Sequence, residues 1–313
     1  MGVWMLELGV FLPLAMSLPN PLYLFNNHFA GHRRNYPYRT RLAIAADLGF
    51  DGYELHPIEP EDDKSWNEAA AAFRASGIKH AGMYVVSRGA TDEEFPKIDA
   101  EIERTRHIIE RLHTIDPHAF LNYTVASNPA GQSTPDYREA GSSKAEARHW
   151  ERTARLVRAA DDELAARGMS GNLYNHVWFI IDTPAAELRV LRDAGASVIR
   201  PGIAIFHSHF HLGVPDFAEL IAQPGMEKLG YFAVLNGWPK PAEPFRTRPL
   251  DDGNIDVAAA LGLLWARGYT GPIVSQAYDL GGDPYETARR SRDYIREVHA
   301  RFLRNPALNP ATL

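Results

Sequence analysis

FPKIDAEIERTRHIIERLHTIDPHAFLNYTV, residues Phe95–Val125, holds one complete helix-to-strand step. Phe95, Ile98, Ile102, Ile109 and Leu112 recur at three- and four-residue steps or their sums, which lays one apolar stripe along a long helix. Ala119–Val125 then supplies a mostly apolar run of strand length. Working outward, the alternation continues in both directions. Candidate strands are Leu6–Leu12, Asp51–Leu55, Ala81–Val86, Ala119–Val125, Asn172–Trp178, Ser197–Phe206, Tyr231–Asn236 and Pro272–Ala277, each followed by a polar or Gly/Pro-containing stretch. Helices fit the gaps. Thr183 before Pro184 reads as an N-cap with proline at the first helical position, and Asp283, Pro284 and Glu286 open a last helix reaching roughly Arg301.

About eight β-then-α units without a linker, charge block or composition shift predict one domain over residues 1–313. Such a series either closes into a parallel barrel or spreads into an open doubly wound sheet. The sequence has no G-x-G-x-x-G and no G-x-x-x-x-G-K-[ST] after the first strand, the phosphate-cradling fingerprints of open folds. The expectation is therefore an α/β fold, a (β/α)8 TIM barrel with long loops at its carboxyl-terminal face, where barrel chemistry is placed.

Composition narrows the function classes. Lys and Arg total 33 against 39 Asp and Glu, a net charge of −6, so a basic nucleic-acid binder is not expected. With no Cys, thiolate zinc sites, iron–sulfur clusters, disulfides and Cys nucleophiles are excluded. Hydrophobic residues at 45% suffice for a large core. The apolar start MGVWMLELGVFLPLAMS lacks Lys or Arg and carries Glu7, so it reads as a strand rather than a signal peptide. No window holds 18 uninterrupted apolar residues, so no membrane contact is expected, and the cytoplasm is the expected location.

Polar residues collect at the strand ends: Glu54 and His56, Asn122 and Tyr123, Tyr174-Asn175-His176, Phe206-His207-Ser208-His209-Phe210-His211, Asn236-Gly237-Trp238, and Gln276-Ala277-Tyr278-Asp279. His207, His209 and His211 share one side if the strand continues through them and splay if it does not. Half-buried or exposed imidazoles are the plain interpretation. Imidazole also titrates near neutrality, which suits proton transfer. Long connections follow strands one (Pro13–Tyr36), four (Ala126–Ser142) and seven (Gly237–Ile255), and bring His28, Arg33, Arg34, Lys240, Arg246 and Arg248 toward the same mouth. Tyr23, Phe25, Phe29, Tyr36, Trp178 and Trp238 offer apolar faces for a ring or serve in packing.

The stretch Leu42–Leu55 (LAIAADLGFDGYEL) resembles the first helix and second strand of the xylose isomerase-like superfamily, the sugar phosphate isomerase/epimerase barrels that include endonuclease IV. Asn175-His176 is similar to that family's fifth strand end. Pro249–Asp256 with Leu261–Pro272 resembles its closing segment. The resemblance implies a divalent ion held by Glu, Asp, His and Glu at the ends of strands five to eight. Those roles fall on Tyr174, on Ala204, Ile205 or Ser208, near Val234, and on Gln276, so all four ligands are replaced. Neutral replacements are mutually consistent, because carboxylates left facing each other without an ion repel. A different divalent site (Zn, Mn or Fe) on His176 with two of His207, His209 and His211, with or without His56, is the remaining metal alternative.

The leading expectation is a sugar isomerase or epimerase acting on a sugar-like small molecule without the family metal. Glu54, His56, His176, His207 and His211 would move protons, and Asn122, Tyr174, His209, Trp238, Gln276, His28 and Arg33 would contact substrate. A lyase on an oxidised sugar or glycoside would use the same proton abstraction. The runner-up is a non-catalytic barrel, a homo-oligomer or the partner of an active homologue. Nucleic-acid repair by analogy with endonuclease IV is disfavoured by the missing acids.

Overall fold

A β-carbon added at Gly52 would lie 2.2 Å from the Tyr23 ring, and one at Gly82 would lie 2.5 Å from Phe120. These strand positions lack side chains because aromatic rings fill the inside of a rolled sheet. The computed structural model describes residues 18–31, 35–56, 62–90, 98–126, 140–212, 217–238 and 246–310, and the side chains of 210–212 lie outside that description. The main elements are β1 (Leu22–Phe25), α1 (Tyr38–Asp47), β2 (Gly52–Leu55), α2 (Asp63–Ser76), β3 (His80–Ser87), α3 (Ile98–Ile115), β4 (Phe120–Val125), α4 (Ala147–Ala166), β5 (Ser170–Leu173), α5 (Pro184–Ala194), β6 (Ile199–Arg200), β7 (Gly202–Ala204), α6 (Ile205–Leu212), α7 (Phe217–Ala222), β8 (Tyr231–Val234), β9 (Asn236–Gly237), β10 (Thr247–Arg248), α8 (Val257–Ala266), β11 (Ile273–Ser275) and α9 (Pro284–Arg304).

Nine parallel strands pair in the order β6-β5-β4-β3-β2-β1-β11-β8-β7. Pro201, which has no N–H to donate, separates β6 from β7. β6 pairs with β5 and β7 with β8, so the two short pieces act as one stave and the sheet forms a TIM barrel. Gly202 permits this closure, since a β-carbon there would lie 2.1 Å from the Leu173 carbonyl oxygen. Outside the sheet, a continuous apolar core joins strands to helices. Inside, Tyr23, Phe25, Tyr84, Phe120, Tyr174 and Tyr231 form a second cluster with Ala204, Ala233 and Val274. Strands buried on both faces read as apolar runs and hide which side chains point inward.

The start signals hold. Thr183 accepts from Ala186 N and Asp283 from Tyr285 N, each ahead of proline. Among the described residues, no helix is long and apolar enough to cross a membrane.

Several boundaries differ from the sequence expectation. Leu6–Leu12 lies outside the described residues, and the strand between β2 and β11 is Leu22–Phe25, inside the stretch expected to be a loop. Its four residues are all buried, leaving no alternation to detect. The fifth strand stops at Leu173 rather than Trp178, the seventh at Val234 and the eighth at Ser275. The sixth ends at Ala204, and Ile205–Leu212 is helix. Ala204 N donates to Asn175 Oδ1 at 2.8 Å, a side-chain acceptor where a further ladder bond would be.

Candidate active site

The ends of β5, β7 and β11 meet over the aromatic interior. Tyr174, just past β5, donates from its hydroxyl to Gln276 Oε1, just past β11, at 3.2 Å. Burial raises the Tyr174 pKa, with Gln276 as a smaller opposing influence, so the phenol stays protonated. Among the described residues, Gln276 Nε2 is buried without a hydrogen-bond partner, which leaves both of its N–H donors uncommitted.

Beside this pair stand two imidazoles. His176 and His207 have ring centroids 3.9 Å apart at 34°, and Phe179 stacks on His176 at 4.2 Å and 17°. His176 Nδ1 lies 2.8 Å from Val177 O. A carbonyl only accepts, so Nδ1 carries the proton and Nε2 holds the lone pair. Burial lowers the His176 pKa to about 4, against the raising influence of that carbonyl. His207 lies well below its ordinary value, through burial first and the His176 charge second. Asn175 joins the segments bearing the two rings: its Nδ2 donates to Ser208 Oγ at 3.0 Å, while its Oδ1 accepts from Ala204 N.

Tyr84, on β3, has its ring centroid 4.8 Å from that of Tyr174 and 6.1 Å from that of His56. His56 also packs on Phe25. Through Tyr84 and Tyr174, whose ring lies 6.3 Å from His176 and 5.7 Å from His207, His56 joins the same chain of ring contacts.

Glu54 sits within the barrel, fully buried. Its Oε2 accepts from Tyr231 OH at 2.8 Å and its Oε1 from Asn122 Nδ2 at 3.1 Å. Burial pushes its pKa up to about 8, partly offset by those two donors, so the acid is mostly neutral near pH 7. This places Glu54 and Asn122 together in the interior.

His28 lies apart from the imidazole pair. Its Nε2 is 3.0 Å from Ser275 Oγ and its Nδ1 3.5 Å from Thr287 Oγ1, bridging β11 and α9. Burial lowers its pKa to about 3. His207 and His209 share a helix instead of one strand face, so two residues of separation place them about 200° apart around its axis. His209 is buried, which lowers its pKa. The helix backbone includes His211, but its side chain lies outside the description, as do Arg33, Arg34 and Lys240. Trp238 is 40% exposed at the rim with the Arg248 guanidinium 4.5 Å over its ring.

The sequence reading missed Tyr84, Phe179 and Tyr231 as site neighbours. Their period-two positions on strands, or the turn after β5, were the available signal.

The family's metal-ligand positions do not fit a divalent ion here. Tyr174 and Gln276 bond each other, Val234 packs in the outer core, and Ala204 is apolar. Ser208 Oγ accepts from Asn175, and Ile205 packs in the core. A protonated phenol, an amide and a hydroxyl are poor substitutes for the carboxylates and imidazole such an ion needs. Nor, among the described residues, do three or more His, Asp or Glu come together in a way that could hold a metal, and sets that include the His211 side chain lie outside the description.

A separate cavity of about 650 Å³ opens at the opposite, amino-terminal end of the strands, lined in part by Asn172, Arg200, Arg267 and Tyr269. It is remote from the strand-end loops that carry chemistry in this fold.

Solved structures with this architecture include an L-ribulose 3-epimerase, with TM-score 0.68, 17% identity and coverage of 92% of this chain and 97% of that one. A D-allulose 3-epimerase from Methylomonas sp. matches with TM-score 0.67 and 16% identity, covering 89% and 98%. A 3-keto-D-glucoside 4-epimerase from E. coli gives 0.63 and 15%, covering 89% and 99%. No curated protein matches the chain in sequence. The sequence profile described as "Xylose isomerase-like TIM barrel" matches residues 42–298, and the chain belongs to that family.

Proposed function

We propose that the protein is a sugar isomerase or epimerase whose proton transfers are carried by imidazole instead of by a metal-linked carboxylate pair. The observation that carries this reading is the close, tilted His176–His207 ring pair beside the Tyr174–Gln276 hydrogen bond. In that arrangement His176 Nε2 accepts a proton from the carbon next to a substrate carbonyl. Gln276 Nε2, with no partner among the described residues, donates to the developing enolate oxygen. His56, which packs beside Tyr84, is the group assigned to return a proton to the other face of a planar enediolate, which inverts the centre. Glu54 stays beneath, neutral, holding Tyr231 and Asn122 in register.

The neighbours in architecture support a ketose or a keto-glycoside as the substrate class, with Trp238 at the rim offering an apolar face to a sugar ring. An eliminating lyase would share the first step and differ only in the fate of the enolate.

The test is hydrogen exchange in deuterated water with a panel of ketoses and 3-keto-glycosides. The proposal predicts incorporation at the carbon next to the carbonyl, lowered about 10²–10⁴-fold in His176→Gln. Loss of the family carboxylates favours the second reading, a non-catalytic barrel partnered with a second copy or a homologue. No exchange with any substrate, wild type and variant alike, would support that reading.

A further inference from the structure

Two non-glycine residues among those described have positive φ, Trp178 at 68° and Asp279 at 57°. Aspartate tolerates the left-handed region, whereas for a bulky aromatic residue it is an outlier that the surroundings must enforce. Phe179 N donates to His176 O at 3.1 Å, closing a four-residue turn with Trp178 in third place. A left-handed residue there defines a type II turn, which normally takes glycine or asparagine. His176 N donates to Ile181 O at 2.8 Å, which pins the turn from outside, and Trp178 packs against the core.

This turn has a chemical consequence. A type II turn flips its central peptide relative to type I, and that peptide carries the Val177 carbonyl, the group 2.8 Å from His176 Nδ1. The last residue of the same turn, Phe179, stacks on the His176 ring. One tight turn therefore supplies both the acceptor that sets the tautomer and the surface that sets the ring plane.

We propose that Trp178 is a positioning residue: its left-handed backbone turns the Val177 carbonyl onto His176 Nδ1 and holds His176 as the Nδ1–H tautomer, with Nε2 free to accept a proton. The proposal rests on His176 as the base, but its test reads the tautomer directly.

Trp178→Gly and Trp178→Val both remove the indole. Glycine accepts the left-handed conformation and a β-branched residue resists it, so their difference isolates the backbone. The two ring nitrogens of His176 are followed by NMR in protein labelled with ¹⁵N-histidine, the signals being assigned by their loss in His176→Gln. Wild type and Trp178→Gly are expected to show a protonated Nδ1. Trp178→Val is expected to shift toward protonated Nε2, with kcat about tenfold below that of Trp178→Gly and KM within about twofold. If Trp178→Val does not fold by circular dichroism, Trp178→Asn and Trp178→Ala repeat the contrast, since asparagine tolerates the left-handed region and alanine does not. Protonated Nε2 in the wild type, or an unchanged tautomer in both valine and alanine variants, overturns the proposal. A tautomer that shifts while deuterium exchange stays constant upholds the positioning role and removes His176 as the base.

Discussion

Replacing Glu54 with glutamine should alter how stability depends on pH. The carboxyl is fully buried and its pKa is pushed from 4.5 to about 8 by burial. Because the folded value is raised, the unfolded chain releases this proton first as pH rises. Stability attributable to Glu54 is therefore fully present below about pH 4.5 and declines through the interval up to about pH 8. Each unit of that interval corresponds to about 1.4 kcal/mol at the limiting slope. Integrated from about pH 5 to about pH 8, the loss is on the order of 3–4 kcal/mol, a large part of the stability of a typical domain. Glutamine preserves shape and can still accept from Tyr231 or Asn122, but it cannot ionise. Urea unfolding of both proteins across that range gives the difference directly, and other titrating groups, including His28 and His176, cancel to first order. Glu54→Gln should gain on the wild type steadily as pH rises. Parallel stability curves would refute the assignment of Glu54 as a buried acid held neutral by the barrel interior.

Asp161 accepts from Ser197 N, Val198 N and Ile199 N and from Ser197 Oγ, so Asp161→Ala should release the start of β6 and lower stability by roughly 2–4 kcal/mol in urea titration. Gly52→Ala places a methyl group 2.2 Å from the Tyr23 ring and should lower stability by about 1–3 kcal/mol, measured by thermal unfolding. His28→Gln should mainly change the Tm, because His28 bridges β11 and α9 away from the imidazole pair; a loss of exchange activity with an unchanged Tm would instead make it a substrate ligand.

Much of the barrel was legible in sequence because α3 is amphipathic and β4 is a mostly apolar, fully buried strand, a pairing the structure retains. Leu22–Phe25 was hidden because four buried residues carry no period and a longer apolar run stood upstream. The segment IFHSHFHL alternates like a strand yet forms a helix, since Pro201 divides its stave and Asn175 caps the ladder at Ala204. At the site, the chain positions of Tyr174, His176, His207 and Gln276 could be read as strand ends. The Tyr174–Gln276 bond and the imidazole pair depend on residues 102 and 31 positions apart, beyond any local pattern. The turn at Trp178 left no trace at all, because the residue that should announce a positive φ is not glycine.

The most direct test of imidazole-based proton transfer is solvent deuterium exchange by chelator-treated protein, measured before and after adding Mg²⁺, Mn²⁺ or Co²⁺. The account predicts full exchange before any metal is added and its loss in His176→Gln; exchange that appears only with a divalent ion and survives that substitution would contradict it.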